Sequence, residues 1–148
     1  MRCVRIIAAA NLAFATLEAL AQGLPLPSRF QATGRACQGE LVIQRQAILW
    51  STPFSVCKAA SYKLLDHENN TGLARYTYRL DQTTSACRYH VISLTHDGSK
   101  PEDIGWEVTG YYDPKSYEQD KAAGFPNGGT PDMMSCYLTR TFSQRPRP

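Results

Sequence analysis

Alternate residues between Leu73 and Leu94 fall into two stripes, and that alternation restricts the segment to strands. One stripe is apolar: Tyr76, Tyr78 and Leu80, then Cys87, Tyr89 and Val91. The other is Arg75, Thr77 and Arg79, then Arg88, His90 and Ile92. A period of two is the geometry of a strand with one face in a core and one in water. The same pattern recurs along the chain. "GELVIQ", "AILWS", "CKAASYKLLD", "LARYTYRLD", "ACRYHVISL", "IGWEVTGYY" and "MMSCYLTRTF" read as about seven short strands. "HENNTG", "QTTS", "HDGSKPED" and "FPNGGTPD" separate them with the Asn, Asp, Gly and Pro that bends require.

One segment breaks the period. "DPKSYEQDKAAG" offers Asp113 as N-cap, Pro114 at the first helical position and Gly124 as the stop, which makes a short helix before the last strand. Short strands at regular spacing predict an all-β fold. A small antiparallel meander barrel is favoured, because closure removes sheet edges; a β-sandwich is the alternative. In size and strand order such a chain is similar to lipocalin-like barrels, although Gly39-Glu40-Leu41 stands where their first strand carries Gly-x-Trp.

The segment 1–21 has the layout of a signal peptide: Arg2 and Arg5, an apolar run, then Ala19-Leu20-Ala21 for cleavage after Ala21. Residues 22–36, rich in Pro and Gly, read as an extended leader, 37–142 as a single disulfide-bonded β domain, and 143–148 as a flexible tail. The protein is therefore expected to be secreted or periplasmic, with no membrane span in the mature chain. Removal of Cys3 with the signal leaves Cys37, Cys57, Cys87 and Cys136, an even set suited to two disulfides. Short loops favour Cys37–Cys57 and Cys87–Cys136. No close cysteine pair exists to chelate zinc, so no metal is expected. No phosphate loop, His-Glu-x-x-His or Gly-x-Ser-x-Gly is present, so neither a cofactor nor an enzymatic activity is expected. A net charge of +3 without a Lys/Arg block argues against a nucleic-acid partner.

Pairing the two clearest strands by their apolar faces sets Leu80 against Cys87, Tyr78 against Tyr89 and Tyr76 against Val91. Arg79 then meets Arg88, Thr77 meets His90 and Arg75 meets Ile92. Facing arginines repel, so either Glu107 on the next strand compensates them or an anionic partner does. Arg75, Arg79, Arg88 and His90 are thus a candidate docking patch for a carboxylate, a phosphate or an acidic protein surface. Trp106, with Ile104 and Val108, reads as core. Tyr112 on the inward face and Tyr111 on the outward one are placed at a barrel mouth, where they could grip an apolar or sugar ligand. Glu107 and Asp113 are the pair a glycosidase would need. His96-Asp97-Gly98 reads as a turn, and Asn69-Asn70-Thr71 is a glycosylation sequon.

The segment "TGLARYTY" resembles the SGSGARY segment of the periplasmic C-type lysozyme inhibitors, with Thr71 at the place of the first serine and without the Trp-x-Lys-Gly that follows there. That resemblance implies a small disulfide-bonded barrel that blocks or binds another macromolecule, and it assigns no site residue. The combined expectation is a secreted or periplasmic non-enzymatic binding protein, an inhibitor or interaction module acting through the basic outer face. A carrier using the barrel mouth and a cell-envelope hydrolase are the alternatives.

Overall fold

The computed structural model describes residues 24–81, 84–126 and 131–142; the proposed signal peptide and the tail 143–148 lie outside them. Nine antiparallel strands form one sheet curled into a half-barrel: β1 Ser28–Ala32, β2 Gly39–Ile43, β3 Ile48–Thr52, β4 Ser55–Ala60, β5 Tyr62–Asn70, β6 Leu73–Leu80, β7 Val91–Asp97, β8 Trp106–Tyr111 and β9 Met133–Thr141. Among the described residues a single helix, α1 Pro114–Ala122, precedes β9 as expected. The strand order is β4-β3-β2-β1-β9-β8-β7-β6-β5. Two meanders are therefore joined in the middle by β1 and β9, with Ala32 opposite Leu138. The two outermost strands are consecutive in the chain and separated only by Ser61, so the curled strip is pinned to itself at one corner.

Three expectations are corrected. The leader is not merely extended, because Ser28–Ala32 alternates buried and exposed and occupies the sheet's middle. "CKAASYKLLD" divides at Ser61 into β4 and β5, and β5 continues through Asn70, so "HENN" is strand rather than turn. The cysteines pair as Cys37–Cys136 and Cys57–Cys87, not as Cys37–Cys57 and Cys87–Cys136. Pairing of β1 with β9 brings the segment after β1 to Cys136. Cys87 lies in the segment that covers the edge of β4, where the Val56 amide donates to the Ala86 carbonyl at 2.7 Å.

The concave face is aromatic. Trp50 stacks on Tyr89 with centroids 4.3 Å apart, and Tyr89 continues onto Tyr112. Trp106 is core, as its stripe predicts, packed edge-on against Phe30 at 5.1 Å. Ile104 is not: it precedes β8 and is exposed. His96 belongs to the core rather than to a turn, tilted against Trp106 at 4.5 Å, with Nε2 near the carbonyls of Pro101 and Ile104. Arg140 lies inside one end of the sheet. Its guanidinium donates to Glu102 at 2.8 Å and to Ser28 Oγ at 3.0 Å, so the buried charge has its anion.

Gly110 is small for a packing reason. A β-carbon there would lie 2.5 Å from Tyr89 and 2.6 Å from Trp50. Gly110→Ala is expected to cost about 1–3 kcal/mol through overpacking of that stack, read from urea unfolding. A non-reducing digest is expected to link the Cys37 and Cys136 peptides and, separately, the Cys57 and Cys87 peptides. Removal of the first bridge, which spans 99 residues, is expected to cost roughly 4.7 kcal/mol, against roughly 3.6 for the second, which spans 30.

Candidate functional site

On the convex side of β6–β9, three rows of side chains run across the strands. Arg75, Thr95, Glu107 and Tyr137 form the first, in register. Thr77, Ser93, Thr109 and Ser135 form the second. Hydroxyl pairs tie that row together, Thr77 to Ser93 at 3.1 Å and Thr109 to Ser135 at 2.8 Å. Arg79, Val91, Tyr111 and Met133 form the third.

Helix α1 lies over the third row. Asp113 caps it, accepting from the Ser116 amide at 2.9 Å and the Ser116 hydroxyl at 2.7 Å. The helix ends in a Schellman motif: the Gly124 amide donates to Lys121 and the Phe125 amide to Asp120. Gly124 has φ +80°, a conformation that favours glycine. This stop turns the chain back so that Phe125 packs against the Val91, Tyr111 and Tyr117 cluster. The far side of the helix is held by a bulge. β5 shifts register between Leu64 and Asp66, and Asp66 accepts from Lys121 Nζ at 2.6 Å and from the Tyr117 hydroxyl at 3.2 Å.

Between the strands and the Phe125–Pro126 segment lies a groove of about 830 Å³. Arg75 enters it from one side, with its guanidinium 3.6 Å from the Phe125 ring centre and 3.0 Å from Glu68. Asp120 accepts from the Tyr111 hydroxyl at 2.6 Å. Tyr137 is 79% exposed. Glu107 is half-buried and has no hydrogen-bond or ion-pair partner among the described residues; burial pushes its carboxyl above the ordinary 4.5. A carboxylate left so, among hydroxyls and beside an aromatic ring, can accept hydrogen bonds from a ligand that enters.

The expected docking residues are not one patch. The β6–β7 register differs by three residues from the one the apolar stripes predict: Arg79 is opposite Val91, and Tyr78 opposite Ile92. An odd shift exchanges the faces of β7, so Arg79 never meets Arg88. Arg79 lies exposed beside Lys63, whose charge is shared with Asp81 at 3.8 Å. Arg88 precedes β7, with its guanidinium 4.8 Å from the Tyr112 ring centre. His90 also precedes β7, half-buried, and its carbonyl accepts from the Leu80 amide. Glu107 faces Thr95 and Tyr137 rather than the arginines. Tyr111 faces outward as expected, but α1 covers it and it is fully buried. Tyr112 packs inward on Tyr89. Asp113 is spent on capping the helix and does not line the groove beside Glu107. Phe125 and Asp66 are functional positions that the alternation pattern does not mark; the helix stop at Gly124 is a signal for the first, and the bulge leaves none for the second.

No known family model matches this chain, and no curated protein or solved structure matches it.

Asp66 carries the helix clamp. Its hydrogen bond from Lys121 holds its carboxyl below the ordinary 3.8. A depressed carboxyl contributes stability that is fully present above its unfolded value and is lost as pH falls through its folded one. Amide exchange in α1 is therefore expected to accelerate in Asp66→Asn at neutral pH, while β7 and β8 keep their protection. In the wild type the clamp is expected to release only as pH drops below 3.8. Unchanged protection of α1 in Asp66→Asn would show that Phe125 and Tyr117 alone hold the helix.

Proposed function

We propose that this chain is an extracytoplasmic, non-enzymatic binding protein whose ligand lies in the groove on the convex face. The observation that carries this reading is the half-buried Glu107, without a hydrogen-bond or ion-pair partner among the described residues, in a groove where Arg75, Asp120 and the Thr109–Ser135 hydroxyls are already engaged. Its volume of about 830 Å³ falls within the ordinary span for small-ligand sites, about 300–1,000 Å³. The concave face, where a barrel carrier needs room, is occupied by the buried Trp50 and Tyr89 stack. Two disulfides fit an oxidising compartment, and no helix among the described residues is long and apolar enough to cross a membrane.

The test is an amide chemical-shift survey with monosaccharides, polyols and aliphatic amines as probes. Shifts are expected to cluster on Thr95, Glu107, Thr109, Ser135 and Tyr137. They are expected to disappear in Ser135→Trp, which fills the groove from an exposed strand position and leaves the melting temperature nearly unchanged. Shifts centred on Trp50, Tyr78 and Tyr112 would return the site to the barrel interior. A groove silent to every probe class would end the reading.

A further inference from the structure

The groove has a charge character opposite to that of the whole chain. The chain is net positive at +3. Of the cations lining the groove, Arg75 is paired with Glu68, and Lys100 lies near Asp97, whose carboxyl is held down first by hydrogen bonds from Ser99 and only in smaller part by Lys100. Asp120 is bonded to the Tyr111 hydroxyl. What remains is Glu107, an anion with no cation at hydrogen-bonding distance among the described residues. A desolvated carboxylate without a partner is costly, and the cost is removed by an entering cation and increased by an entering anion.

The surroundings of Glu107 narrow the kind of cation. Tyr137 is its direct cross-strand neighbour on β9, and paired β-carbons in such positions lie about 5 Å apart. A largely exposed aromatic ring beside an unpaired carboxylate gives a cation both an opposite charge and a π face. Thr95 is the neighbour on β7, and the Thr109–Ser135 hydroxyl pair lies in the next row. Thr95 and this hydroxyl pair add acceptors around the carboxylate on three adjacent strands. An ammonium, a compact charge with three rotatable donors, can use the carboxylate and such hydroxyls together.

We propose that the groove recognises a protonated primary amine, held by Glu107 and covered by the Tyr137 ring. The proposal rests on the reading of the groove as the binding site and names its ligand class.

Three five-carbon probes of similar shape separate the possibilities: cadaverine, 1,5-pentanediol and glutarate, titrated at low ionic strength and followed by amide shifts. Cadaverine is expected to saturate the Thr95, Glu107 and Tyr137 signals, and the diol and the diacid are not. Glu107→Gln is expected to weaken cadaverine by about tenfold or more. Tyr137→Ala is expected to weaken it about threefold while Tyr137→Phe retains it. Each variant's melting temperature is measured alongside, and Glu107→Gln is expected to fold at least as well as the wild type, because it removes a desolvated charge. If the diol moves the groove signals as strongly as the amine, or if Glu107→Gln binds cadaverine unchanged, the amine proposal is overturned and the groove stands as a site for a neutral ligand. Signals that stay still with all three probes, in a protein also silent to sugars, overturn both.

Discussion

The structure depends on the pairing of β1 with β9. Without it no strand pairing joins the two meanders, β1–β4 and β5–β9, which are otherwise linked through Ser61, the two disulfides and the hydrogen bond from β4 to Ala86. Each would present unpaired amides and carbonyls along an added edge. The pairing joins residues more than a hundred positions apart, Arg29 with Thr141, and such a contact carries a large loop-closure cost. Cys37–Cys136 lies beside this seam and reduces that cost by holding the partners together in the unfolded chain. Arg140 strengthens the seam from within, because it sits on β9 opposite Phe30 and donates to Ser28 of the same β1. The aromatic core can fill the concave face only once the seam has made the two halves into one curved surface.

The convex face acquires its chemistry from what covers part of it. An antiparallel sheet normally leaves one face to water. Here α1 buries Val91 and Tyr111 of the third row, and Phe125 covers Arg75, so hydroxyls and a carboxylate on the remaining rows are partly shielded from bulk solvent. The bulge in β5 turns Asp66 outward to meet the helix, while His67, the next residue, faces inward and stacks on Tyr76. A one-residue irregularity at a sheet edge thus supplies the anchor for the cover.

Much of this was legible from local pattern. Asp113, Pro114 and Gly124 delimit the helix because capping and helix-stop chemistry are local, and Trp106 and Val108 declare their inward face by alternation. The β6–β7 register was not legible, for a physical reason. Val91, Ile92, Ser93 and Leu94 are all buried, since the core covers one face and the helix the other. A strand buried on both sides loses the alternation that distinguishes its faces. Cys87 and Tyr89 add to the confusion: they are apolar because they plug the concave side from a segment that precedes the strand. The disulfide pairing failed similarly. Loop length favours near neighbours, but the seam and the covered edge of β4 decide which cysteines meet. Glu107 was legible as an outer-face residue, and its isolation was not, because that depends on Arg75 choosing Glu68 across an edge pairing.

The way α1 ends makes the groove's depth a matter of counting residues. Phe125 is placed by hydrogen bonds to the last helical turn, and the other end of the helix is tied by Asp113 to the end of β8. Each residue in a helix advances its axis by about 1.5 Å and turns it by about 100°. Related chains with one residue more or fewer in α1 would therefore swing the aromatic cover off Arg75 without altering a single strand. Those with a full extra turn would restore its direction while displacing it by about 5 Å. Length variation in this one segment is thus a means by which the same half-barrel could be fitted to ligands of different size, with the aromatic core and the seam between β1 and β9 left as they are.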